Sequence, residues 1–140
     1  MRILLVILVL SAAIIAASVA HPRTRELSLR NLPLKAGERV AAIQIDIAGA
    51  SFKKVSIPYD WGLDVSPPVA EVCTLKAFGQ HSSAFLSPNQ FNEFATLEMY
   101  GSRDSEPFAV RANIVAILYD SSDKEHQRVI KLPKECIVVD

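Results

Sequence analysis

From Val40 onward the apolar positions recur every second residue. Ile43, Ile45 and Ile47 alternate with Gln44, Asp46 and Ala48, as a strand with one face in a core requires. Gly49-Ala50-Ser51 can turn the chain. Residues 52–57 then read as a second strand, with Val55 and Ile57 on one face and Lys54 and Ser56 on the other. Pro58 ends that ladder, because it has no N–H to donate. Trp61, Leu63 and Val65 share a face of a short third strand that Pro67-Pro68 closes. Over residues 72–79, Cys73, Leu75 and Ala77 oppose Thr74 and Lys76. Residues 108–119 form the longest predicted strand. Val110, Ala112, Ile114, Ala116 and Leu118 share one face, while on the other Arg111 and Asn113 give way to Val115 and Ile117. That change predicts a central strand covered on both sides at its far end. Residues 129–132 and 137–139 are the last two predicted strands, separated by Pro133-Lys134-Glu135.

Between these strands the pattern predicts one short helix. Ser87-Pro88-Asn89-Gln90 offers a hydroxyl cap, a proline at the first helical position and a glutamine at the third. Phe91 and Phe94 follow three residues apart on one face, and residues 95–100 return to strand-like composition. Residues 101–107 read as a loop and residues 120–127 as a charged turn. Residues 21–38 contain Pro22, Pro33 and Gly37 among arginines and leucines, which predicts an extended N-terminal arm. The alternation of Leu27 and Leu29 also permits a short edge strand there. The sum is about seven or eight short strands and one short helix, which predicts an all-β fold. The expected architecture is a single antiparallel β-sandwich domain over residues 39–140.

The first twenty positions follow a different rule. Arg2 precedes an uninterrupted apolar run, residues 3–20, that ends in Ser18-Val19-Ala20. A basic start, an apolar stretch and small residues at the end predict a secretory signal peptide cleaved after Ala20. The alternative is an uncleaved membrane anchor, since the run just reaches spanning length. The expected location is therefore the periplasm or the outside of the cell. The whole chain balances 15 basic against 15 acidic residues. That balance gives no electrostatic footprint for nucleic acid. The same composition, half hydrophobic by count, excludes a disordered chain.

Around Ser56-Ile57-Pro58-Tyr59-Asp60-Trp61 the sequence resembles a known group. A strand ending in Ile57-Pro58 is followed by a short turn and Trp61 at the start of the next strand. Phe78-Gly79 with Ser82-Ser83-Ala84, then Lys124-Glu125 and Leu132-Pro133, complete the likeness. It is similar to a loose, largely uncharacterised group of small secreted bacterial β-sandwich proteins, over roughly residues 40–139. The resemblance implies an antiparallel sandwich behind a signal peptide or anchor, and no activity. This chain departs at Asp60, where the group usually carries glycine.

Candidate chemistry is sparse. Gly79-Gln80-His81-Ser82-Ser83 lacks the second glycine and the strand-to-helix context of a nucleophile elbow. Asp120-Ser121-Ser122-Asp123-Lys124-Glu125 clusters oxygen ligands without the spacing of a calcium loop. Asp60 and Asp64 flank Trp61, but the phase of Trp61 with Leu63 and Val65 favours a core role over a sugar-stacking platform. Tyr59 and Trp61 remain the possible ligand platform of a carbohydrate-binding module. Cys73 and Cys136 offer no CxxC, and in an oxidising compartment they predict one disulfide. Cleavage after Ala20 would give His21 a free α-amine, which with its imidazole and that of His81 or His126 could hold copper. The expectation is an exported, non-catalytic binding or envelope-associated structural module, without catalytic residues or a cofactor. Its partner would be an envelope protein or glycan, and contact with a membrane would come only through a retained anchor. Copper binding at His21 and glycan binding are the alternatives.

Overall fold

The computed structural model describes residues 23–49, 51–67, 69, 72–100 and 107–140. Among the described residues nine strands run β1 (Arg23–Leu29), β2 (Arg39–Ala48), β3 (Ser51–Ser56), β4 (Trp61–Val65), β5 (Val72–Gly79), β6 (Ala95–Tyr100), β7 (Phe108–Tyr119), β8 (Glu125–Lys131) and β9 (Ile137–Val139). They form a four-stranded sheet, β3-β6-β1-β9, and a five-stranded sheet, β4-β5-β2-β7-β8. Every strand pairing is antiparallel. The fold is all-β and sandwich-like. The predicted alternation explains the layers: Ile43, Ile45, Ile47, Leu75, Ala112 and Ile114 from one sheet meet Leu27, Leu29, Leu97 and Met99 from the other in one core. Among the described residues no helix is long and apolar enough to cross a membrane.

Three expectations need correction. Residues 23–29 are not an arm or an edge. β1 lies inside the four-stranded sheet, with Arg23–Leu27 paired to β6 and Leu27–Leu29 paired to β9. Pro33 falls beyond the strand, so it breaks nothing. Strand β8 starts at Glu125 rather than Val129. Its polar residues lie on an edge strand, where solvent satisfies them. The predicted helix is a single 3-10 turn, Pro88–Phe91. Its cap forms as expected, with the Ser87 N–H donating to Gln90 Oε1 at 2.9 Å. The turn stops because the Phe94 N–H is taken by the Leu27 carbonyl at 3.0 Å.

The chain between β5 and β6 crosses from one sheet to the other and is stitched to both. Val40 and Leu86 exchange backbone hydrogen bonds at 2.8 and 3.0 Å. The Trp61 indole N–H donates to the Ala84 carbonyl at 2.7 Å. The indole meets Phe91 and Phe94 edge-on, with centroids 6.4 and 5.6 Å away. The connection from β1 to β2 also crosses between sheets. It ends in a turn in which the Glu38 N–H donates to the Lys35 carbonyl and Gly37 takes φ +83°, a conformation that costs glycine nothing.

The expected Cys73–Cys136 disulfide is not formed. Cys73 lies on β5, whereas Cys136 lies in a 3-10 turn, Lys134–Cys136, packed against β7. Strand β2 stands between β5 and β7. Both thiols are buried, and Cys136 donates its S–H to the Asn31 carbonyl at 3.6 Å. Burial, helped by the neighbouring Glu135 charge, pushes the Cys136 thiol above its ordinary pKa, so it stays protonated and unreactive. Thiol titration of the native protein should find both cysteines slow to react and both fast in urea. Replacing Trp61 by Ala should cost about 3–5 kcal/mol in urea unfolding, because it opens a cavity and strips the Ala84 carbonyl of its donor.

Candidate functional site

The register of the five-stranded sheet sets its outer face residue by residue. Ala42 lies opposite Phe78 on one side and Val115 on the other. Phe78 in turn lies opposite Gly62, and Val115 opposite Val129. One apolar row therefore crosses all five strands. The next row is polar: Asp64, Lys76, Gln44, Asn113 and Lys131. Beyond it, Asp46 accepts a hydrogen bond from Thr74 Oγ1 at 2.7 Å and lies opposite Arg111.

The apolar row is a groove because its side chains differ in size. Phe78 and Val129 stand at the sides, 47% and 68% exposed, and Ala42 forms a low floor between them. The groove holds about 360 Å³ and is open to solvent, with Gln44, Lys76 and Asn113 at its rim. Gly62 fixes the Phe78 ring. A Cβ built on Gly62 would come within 2.4 Å of Phe78 Cζ and 2.6 Å of Cε2, so the tip of the ring occupies the space that a side chain at Gly62 would need. A pocket of this volume lined by apolar groups with a few polar ones has the composition of a binding surface.

The residues singled out from sequence go elsewhere. Trp61 is buried in the core, which removes it from any ligand platform. Tyr59 is half-buried against the same core and donates its hydroxyl to the Gln90 carbonyl at 3.0 Å. His21 lies outside the described residues. His81 is exposed in the bend after β5, and His126 is exposed on β8. Strands β2 and β7 stand between β5, which His81 follows, and β8, which carries His126. The His126 ring pairs with Asp120 Oδ2 at 2.9 Å. Among the described residues no three His, Cys, Asp or Glu side chains converge as metal ligands.

The acidic cluster at residues 120–125 is a turn-forming device. Asp120 Oδ1 accepts the N–H of Ser122 at 2.8 Å and of Lys124 at 2.9 Å. The His126 bond, then these amides, hold the Asp120 carboxyl below its ordinary pKa. Asp123 takes φ +57° inside the loop, a conformation that aspartate tolerates. Phe78 was missed as a candidate because alternation alone puts it on a solvent face. Its register partner Gly62, the Gly before Leu63, was the signal available.

A nearly buried carboxylate forms an ion pair at the other side of the sheet. Arg128 donates through Nη2 to Glu38 Oε1 at 2.6 Å and through Nε to Oε2 at 3.2 Å. Nη2 also donates to the Pro33 carbonyl at 3.2 Å, and the Lys35 N–H donates to Glu38 at 2.5 Å. The Arg128 guanidinium holds the Glu38 carboxyl below its ordinary pKa, against the opposing effect of burial.

No protein-family model matches the chain, no curated protein is similar to it, and no solved structure matches it.

Because the Glu38 pKa is depressed by folding, its stabilisation is complete above the unfolded value and is lost as pH falls through the folded value. The thermal midpoint should therefore fall on acidification below the ordinary Glu value of about 4.5. A Glu38→Gln variant, measured over the same range, should show a shallower acid decline.

Proposed function

We propose that this chain is an exported, non-catalytic β-sandwich module that acts by binding at the cell envelope through the open face of its five-stranded sheet. The observation that carries this reading is the groove of Phe78, Ala42, Val115 and Val129, which holds exposed apolar side chains in place over a rigid sheet. Isolated apolar residues on a surface need no explanation, but a continuous row crossing five strands marks an interaction site. An apolar floor with two amides and the Lys76 ammonium at the rim favours apolar side chains of an envelope protein over a glycan. Export is supported by Arg2, the apolar run and Ser18-Val19-Ala20. The likeness to small secreted β-sandwich proteins points the same way.

Two measurements test the reading. Mass spectrometry of the protein recovered from the envelope should find a chain beginning at His21; an intact Met1 would mean a retained anchor. The processed chain should sediment with the envelope fraction, and Phe78→Ser should release at least half of it while leaving the circular dichroism spectrum and the thermal midpoint nearly unchanged. A processed wild-type chain that is wholly soluble, or a variant that stays bound, would remove the groove from the account.

A further inference from the structure

Four strands end the two sheets: β3, β9, β4 and β8. Three are blunted against pairing with another chain. β3 carries a register break between Phe52 and Lys54, and Lys53 and Lys54 line it. β9 has three residues. β4 has five and sits between Pro58 and Pro67. β8 has seven residues, no proline and an unbroken register against β7. Its charges are opposite in sign at the two ends, Glu125 and Lys131, and paired within the chain at His126 and Arg128, so they guard the edge less than the lysines of β3 do.

The hydrogen-bond phase shows what this edge offers. Asp120 N–H donates to Lys124 O at one end of the hairpin, and Leu132 N–H donates to Ala112 O at the other, at 3.0 and 2.9 Å. In an antiparallel ladder bonded pairs alternate with unbonded ones. The even residues of β8 therefore bond to β7. The odd residues, Glu125, Gln127, Val129 and Lys131, turn their N–H and C=O groups outward, and no strand lies beyond them among the described residues.

We propose that β8 pairs with β8 of a second copy of this chain, antiparallel about a two-fold axis through Arg128, so that the two five-stranded sheets become one continuous sheet. Outward-turned residues must meet outward-turned residues. Under that condition the strands overlap over their full length in one register, Glu125 opposite Lys131 and Gln127 opposite Val129. Opposite charges then face each other at both ends, as cross-strand pairing favours. At the axis Arg128 meets its own copy, which would repel. Each guanidinium is already neutralised by Glu38 of its own chain at 2.6 Å, which removes most of that penalty. The two exposed Val129 side chains become diagonal neighbours, which covers the end of the apolar row. This pairing is independent of what the groove itself binds.

The purified full chain, followed by light scattering and sedimentation over a micromolar to millimolar series, should reach the mass of a dimer. Val129→Pro removes one outward N–H and no bond to β7, so it should keep the native circular dichroism spectrum and stay monomeric. Lys131→Glu places like charges opposite at both ends and should weaken association about tenfold, as should Glu125→Lys. Mixing those two variants restores both opposite-charge pairs in the mixed dimer and should recover wild-type affinity. A monomer throughout the series would overturn the proposal, as would a dimer that Val129→Pro leaves intact or variants whose mixture does not recover.

Discussion

The hydrogen bond from the Trp61 indole to the Ala84 carbonyl, at 2.7 Å, holds the sandwich closed at one end. Trp61 opens an edge strand of one sheet, and Ala84 belongs to the connection leaving that sheet for the other. The indole also rests edge-on against Phe91 and Phe94, whose own centroids are 5.0 Å apart. A single side chain thus fixes where the crossing chain runs, and the crossing chain fixes where β6 begins. β6 pairs with both β1 and β3, so the whole four-stranded sheet takes its position from that bond.

Arg128 and Glu38 perform a matching task at the other crossing. Their ion pair holds the β1–β2 connection against the edge strand β8. Between these two clamps the row from Phe78 to Val129 on the outer face of the five-stranded sheet is exposed among the described residues. Ala42, Phe78, Val115 and Val129 stand outside the buried core. A rigid surface with exposed apolar area is where a partner gains most per contact, since little conformational freedom is lost on binding.

The period-two alternation was legible because inner positions carry branched apolar residues and outer ones carry amides or charges. β2, β5 and β7 follow that rule over most of their length, and the sequence places them correctly. β1 broke the rule: Arg23, Thr24, Arg25 and Glu26 carry no apolar alternation, yet they pair along β6. There the backbone ladder, not side-chain burial, makes the strand, and a ladder leaves no trace in composition. β8 hid its first residues in the same way. The Cys73–Cys136 pair illustrates a further limit. Spacing along the chain carries no information about which strands intervene in space, and β2 intervenes. The groove is a property of register, since only the pairing of Phe78 with Gly62 and Ala42 puts large beside small.

The placement of β1 has a kinetic consequence. Strand β1 draws its neighbours from residues 95–100 and 137–139, so one of its two partners lies more than a hundred residues away along the chain. Such a sheet cannot close by zipping from either end. It must wait for its final residues and then bring together segments separated by most of the chain. Loop closure over that span is slow, and β topologies of this kind fold on the millisecond-to-second scale. Residues 95–100 give β1 its first partner, and its second edge stays unpaired until residues 137–139 can reach it.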